Sequence, residues 1–208
     1  MRKAIIKLMG SDKMRKLLIT GFEPFGGESI NPSWEAVKLL PDKLADLELT
    51  KLSLPVTFAD AAQAVEAAAA NLLPDVILCI GQAGGRKDIS VEFVGINLKH
   101  ARIPDNAGEQ PTDEEIIKGG RAAYFSTVPA RKLVQAVNDS GIPASASYTA
   151  GTYVCNCVLY SLLAHFDGTN TKVGFIHIPY LPEQAKNGAP SMSIEDMVKA
   201  LTAAITAL

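Results

Sequence analysis

Two rhythms of hydrophobic positions alternate along the chain. Short apolar runs at 17–20, 74–80 and 173–178 and the stretch 47–56 read as strands, the run at 74–80 as one covered on both faces. Residues 89–98 alternate and are rich in β-branched side chains, and 144–149 form a further strand. Stretches with apolar residues three or four apart read as helices. One continues from Pro32 through Trp34, Val37 and Leu40, and an Ala-rich one runs to about Leu73. Another spans 129–140 and stops at Gly141, one carries Val154, Val158, Leu159, Leu162 and Leu163, and a last one runs to the C-terminus. Asn31 before Pro32 is an N-cap signature, and Thr57-Phe-Ala-Asp60 and Ser193-Ile-Glu-Asp196 resemble capping boxes. Residues 99–120 fit neither rhythm and are long for a loop, a kind of segment that is often functional. The alternation predicts one α/β domain over 14–208, a three-layer α/β/α sandwich with a largely parallel, mixed and twisted sheet.

In such sheets ligands bind outside the carboxyl ends of the strands. That rule collects the loops at 21–27, 81–86, 151–155 and 178–184 on one edge. Composition adds bounds. With 208 residues, 48% hydrophobic and 20% charged, the chain can bury a sizeable core. A net charge of −2 without a dense Lys/Arg stripe argues against nucleic acid and anionic membranes as partners. Three cysteines cannot all pair, which suits a reducing, cytoplasmic compartment. No apolar run approaches the ~20 residues of a membrane span. Residues 1–13 carry a short apolar stretch interrupted by Lys7 and no small-residue cleavage site. They read as a flexible, dispensable extension or as a start codon placed too far upstream.

Candidate chemistry centres on Cys155, near the first turn of its helix. Unpaired N–H groups and the helix dipole there are expected to lower the thiol pKa and to hold an oxyanion. The alternative is a buried structural cysteine, so the case needs a base. Of three histidines, His165 is ten residues along the same helix and His100 sits beside Lys99 and Arg102 in the irregular segment. His177 ends an apolar strand on the edge where Cys155 emerges, which makes it the best base. A third group should orient the imidazole. Glu92 stands out as an acid within an otherwise apolar strand, either solvent-facing or buried with a partner.

Together the segments resemble the pyroglutamyl-peptidase I family of cysteine peptidases. The resemblance rests on Gly21-Phe-Glu-Pro-Phe-Gly-Gly27, Gly81-Gln-Ala-Gly-Gly-Arg86 followed by Glu92, Ala101-Arg-Ile-Pro-Asp-Asn106, Thr149-Ala-Gly-Thr-Tyr-Val-Cys-Asn156 and Phe175-Ile-His-Ile-Pro-Tyr-Leu-Pro-Glu-Gln184. It implies a Cys155–His177–Glu92 triad that hydrolyses the amide bond after an N-terminal pyroglutamate through a thioester. It also implies a pocket of Phe22, Phe25, Gln82, Ile103, Tyr153 and Val154, with Arg102 near the nucleophile. No metal or organic cofactor is implied; pyroglutamyl peptides are the substrates, and a homodimer or homotetramer is expected. The chain departs from the family pattern at Cys157, Tyr153, Gly95 and Arg121, where His, Phe, Ala and Pro are usual; Tyr153 adds a hydroxyl beside the pocket. Cys157 is about 200° round the helix from Cys155, so the two thiols face apart.

Pyroglutamate has no free amine, so a lactam site needs flat apolar walls and a few polar contacts. Such a site rejects proline because its polar groups are left unpaired. Two rival readings are a phosphate-dependent enzyme of the nucleoside phosphorylase type, using loops 21–27 and 81–85 as cradles, and an inactive small-molecule binder on the same scaffold. The dispersed histidines and the cysteine spacing argue against a metal site, and no G-x-S-x-G elbow supports a serine hydrolase.

Overall fold

In the computed structural model, which describes residues 14–208, the chain runs β1 (Arg15–Phe22), α1 (Pro32–Leu39), β2 (Lys43–Leu44), β3 (Leu47–Leu54), α2 (Ala61–Leu72) and β4 (Val76–Gln82). It continues through β5 (Ile89–Glu92), β6 (Val94–Ile96), β7 (Ala123–Phe125), α3 (Ala130–Asp139), β8 (Ala144–Ser147) and α4 (Val154–His165). The last elements are β9 (Lys172–Ile178), a 3₁₀ turn (Pro182–Gln184) and α5 (Ile194–Thr206). The extension expected over 1–13 lies outside the described residues. Seven strands make one sheet in the order β2-β3-β1-β4-β9-β5-β8, and β6 and β7 form a separate antiparallel pair.

Period-two alternation divides the core. Leu17, Ile19, Leu78, Ile80, Ile176 and Ile178 pack on one face with Val37, Leu133, Leu201 and Ile205 from α1, α3 and α5. Leu18, Ile77, Cys79, Val173 and Phe175 pack on the other with Val65, Val158 and Leu162 from α2 and α4. This is the α/β/α sandwich expected from the strand–helix alternation. No helix among the described residues is long and apolar enough to cross a membrane.

Three features differ from the sequence reading. The strand expected over 89–98 breaks at Phe93, so β5 joins the large sheet and β6 pairs with β7. β5 lies antiparallel to β9, and β8 follows β5 rather than β9. The segment at 151–155 therefore does not reach the site by the shared carboxyl-end rule; it gets there because the chain turns back after β8. α2 begins only at Ala61 with Asp60 as N-cap, so the expected Thr57–Asp60 pair lies in the turn before it: Thr57 Oγ1 accepts from the Asp60 N–H at 3.3 Å and donates to Asp60 Oδ2 at 3.0 Å.

The edge formed by β1, β4 and β9 is braced by α1. Asn31 Oδ1 accepts from the Ser33 N–H at 3.1 Å and from its hydroxyl at 2.8 Å. Ser33 Oγ in turn accepts from the Phe22 N–H at 2.9 Å. The approach is close enough that a Cβ on Gly21 would stand 2.6 Å from the Trp34 Cα. Gly21→Ala is therefore expected to destabilise the protein by about 1–3 kcal/mol, as overpacking against backbone does. Urea unfolding should register this as a lower midpoint with an unchanged slope.

Candidate active site

Cys155 is the second residue of α4. Tyr153, the N-cap, makes no side-chain cap bond, and the N–H groups of Val154, Cys155 and Asn156 find no backbone acceptor among the described residues. These donors lie beside the thiol without backbone partners, the Cys155 N–H turned toward its own sulfur, an arrangement able to bind an oxyanion. The helix start is held by the fully buried Asn156. Its Oδ1 accepts from the Ile96 N–H at 3.0 Å, and its Nδ2 donates to the Ile96 and Leu98 carbonyls at 2.9 Å each.

Gly81 and His177 are register partners on β4 and β9, so their α-substituents point to the same face. A Cβ on Gly81 would lie 2.8 Å from the Phe175 ring and 3.0 Å from Cys155 Sγ. The missing side chain is the space that the sulfur uses, and it brings the thiol to the face that carries His177. The Phe175 ring backs the imidazole at a centroid distance of 4.7 Å.

Glu92, the last residue of β5, pairs with Phe175 in the antiparallel β5–β9 ladder. It is fully buried, which decides between the two sequence readings of this acid. Its Oε1 lies 2.7 Å from His177 Nδ1 and accepts from Arg86 Nη1 at 2.7 Å. Burial acts to raise the Glu92 pKa, but the hydrogen bond and charge of His177, with the nearby Ser147 hydroxyl and the hydrogen bond from Arg86, hold it below the usual value. An ionised carboxylate only accepts, so Nδ1 carries a proton, which makes Nε2 the acceptor whenever the ring is uncharged. Arg86 Nη2 also donates to the Thr149 carbonyl at 3.0 Å. One guanidinium thereby ties the acid to the segment that leads into Cys155. The sequence reading missed Arg86; its signal was an acid in an otherwise apolar run a few residues after a loop arginine.

The thiol corrects a second expectation. Burial pushes Cys155 up to about 12, with the Glu92 charge adding to the rise. A helix terminus contributes about 0.3–1 kcal/mol, under one pKa unit, whereas burial shifts a group by up to about 3–5 units. At rest the thiol is protonated, and it makes no hydrogen bond to the ring among the described residues. Catalytic contacts of this kind often tighten only when a substrate is bound. Cys155 is nevertheless partly exposed, while Cys79 and Cys157 are buried. Cys157 faces the Phe58 carbonyl, 3.9 Å away, on a different side of the helix.

Cys155 and His177 open on a cavity of about 110 Å³ lined also by Phe22, Phe25, Gln82, Tyr153 and Val154, together with Asn31 and Val56, which the sequence reading did not single out. It is comparable with cavities that take up one small ring. Arg102 and Ile103 line the adjoining cleft, which shares the Phe25 and Tyr153 walls and includes His100. The Tyr153 hydroxyl donates to the Pro104 carbonyl at 3.0 Å. His165 is away from this site, with Nδ1 3.6 Å from Glu66. A wider hollow of about 660 Å³ between α1, the 3₁₀ turn and α5 holds no cysteine or histidine. Among the described residues no group of three or more His, Cys, Asp or Glu is arranged to hold a metal ion.

The chain matches the pyroglutamyl peptidase family model over residues 15–208. It is 53% identical over 198 residues to the pyrrolidone-carboxylate peptidase of Yersinia pestis (strain Pestoides F), covering 93% of this chain and 92% of the relative. Its fold is similar to the crystal structure of pyroglutamyl peptidase I from Bacillus amyloliquefaciens, with a TM-score of 0.90, 45% identity and coverage of 93% and 96%. The pyrrolidone carboxyl peptidase from Thermococcus litoralis gives a TM-score of 0.89 at 38% identity, covering 93% of each chain.

The raised thiol pKa sets the pH dependence of alkylation. A thiol near 12 gains thiolate about tenfold per pH unit throughout the neutral range. Iodoacetamide labelling of the ligand-free protein should therefore accelerate from pH 6 to 9 without a plateau and should modify Cys155 before the buried Cys79 and Cys157. A plateau near pH 7, read by mass spectrometry, would instead mean a resting thiolate. Gly81→Ala should slow labelling and activity together by about tenfold or more, because a misplaced nucleophile loses its orientation.

Proposed function

The chain belongs to the pyroglutamyl peptidase family of cysteine hydrolases, and we propose that it releases N-terminal pyroglutamate from peptides with Cys155 as nucleophile, His177 as base and acid, and Glu92 as the orienting acid. The observation that carries this reading is the buried 2.7 Å contact between Glu92 and His177, beside a small cavity that also holds Cys155. His177 Nε2 takes the proton from Cys155, and the sulfur attacks the carbonyl that joins pyroglutamate to the next residue. The free N–H groups at the start of α4 hold the oxyanion. Protonated His177, stabilised by Glu92, gives its proton to the departing amine. Water then hydrolyses the thioester with His177 again as base.

The cavity suits an uncharged ring. Its walls are Phe22, Phe25, Val56, Tyr153 and Val154, and no acid lines it, so nothing there grips a charged amine. Gln82 supplies a polar contact for the lactam. Arg102 and Ile103 face the adjoining cleft, which fits contact with the peptide beyond the ring. The same proposal includes a cytoplasmic location, supported by three unpaired cysteines. It also includes assembly into dimers or tetramers, for which the exposed Leu39, Leu73 and Phe125 offer apolar surface; light scattering reads that state.

A fluorogenic pyroglutamyl amide, with a prolyl amide as control, tests the activity. Cys155→Ala should abolish release while circular dichroism stays native; near-wild-type turnover would remove Cys155 as nucleophile. Glu92→Gln should lower kcat by about 10²–10⁴-fold with little change in KM, since it disturbs tautomer and charge rather than binding. An unchanged kcat would leave Glu92 a structural residue.

A further inference from the structure

Gln184 makes no hydrogen bond to the proposed triad and does not line the cavity, yet it is buried and hydrogen-bonded to Gln82, one of the two amides that do. It sits at the end of the 3₁₀ turn that follows β9 and is 5% exposed. We propose that Gln184 is a positioning residue for specificity: it locks the Gln82 amide so that the Gln82 –NH₂ is presented to the carbonyl of a bound lactam. The proposal rests on the pyroglutamate reading of the cavity and extends it to a residue outside the cavity.

Backbone groups determine the orientation without ambiguity. The Leu181 N–H can only donate, so the Gln184 atom 3.1 Å from it is Oε1. The Ile30 carbonyl can only accept, so the Gln184 atom 3.3 Å from it is Nε2. That nitrogen also donates to Gln82 at 3.1 Å, and Gln82 must meet it with Oε1. The Gln82 Nε2 is then the end left over, with no partner among the described residues, on a residue that lines the cavity beside Cys155. A lactam carbonyl satisfies such a donor, whereas a proline ring has no acceptor there and leaves it unpaired. Rotating the amide would offer an oxygen to the lactam oxygen and set two acceptors against each other.

The test uses Gln184→Glu, Gln82→Met and the double variant. In Gln184→Glu the carboxylate still accepts from Leu181 but cannot donate to Gln82, so the Gln82 amide turns over. Inhibition by 2-pyrrolidone, the bare lactam, should weaken on the order of tenfold to a hundredfold. KM for the pyroglutamyl amide should rise in step. Alkylation of Cys155 by iodoacetamide should stay within about twofold of wild type, because the thiol and its surroundings are intact. In the Gln82→Met background, Gln184→Glu should add no further loss, as required if it acts through Gln82. Unchanged 2-pyrrolidone inhibition in Gln184→Glu overturns the proposal. So does an equal extra loss in the Gln82→Met background, or an alkylation rate that falls with lactam affinity, since either makes Gln184 a brace of the turn alone. If the wild-type protein releases no pyroglutamate, the functional reading fails first, and direct 2-pyrrolidone binding by calorimetry on the same variants still decides the role of Gln184.

Discussion

A carboxylate with no access to water must find its partners inside the protein, and Glu92 is such a group. It is completely buried, and its Oε1 receives both His177 and Arg86 at 2.7 Å. Removing one partner from a buried ion pair typically costs about 3–5 kcal/mol. The residues that orient the imidazole are therefore bound to the stability of the β5–β9 junction. Arg86 widens that dependence, since it also holds the carbonyl of Thr149 in the segment before α4. Acid, base and the approach to the nucleophile share one electrostatic knot.

Around that knot the site is arranged by space as much as by charge. Gly81 leaves room for the sulfur, Phe175 backs the imidazole, and Asn156 pins the helix start to β6. At rest the thiol is protonated, and the imidazole carries a proton on Nδ1 toward Glu92. Burial dominates the helix-end field because desolvation acts on the whole charge, while the terminus supplies only a partial one. Ionisation of the sulfur then belongs to the attack rather than to the resting protein.

The irregular stretch after β6 forms one side of the cleft. It is ordered by hydrogen bonds between its polar side chains and backbone groups rather than by a core of its own. Asp105 accepts from the N–H groups of Phe58, Ala107 and Glu109 at 2.8–2.9 Å. Asn106 binds the Val56 carbonyl through its N–H and the Pro24 carbonyl through its side chain at 3.0 Å. The Tyr153 hydroxyl closes the arrangement by donating to Pro104. The extra hydroxyl at this position thus serves the loop, while the ring still serves the cavity.

Much of the fold and part of the site were legible in the residues alone. Hydrophobic period separated strands from helices, caps at Asn31 and Ser193 marked helix starts, and the motif around Cys155 located a thiol in the first turn of a helix. These are local properties, set by steric and hydrogen-bonding preferences over a few neighbours. The reversal of β5, the break at Phe93, the partners of Glu92 and the protonated thiol were decided only in three dimensions. Period two says which side chains share a face but not which way a strand runs beside its neighbour. A charge's burial, and hence its pKa, depends on residues brought from far along the chain, as His177 is brought to Glu92 across 85 positions.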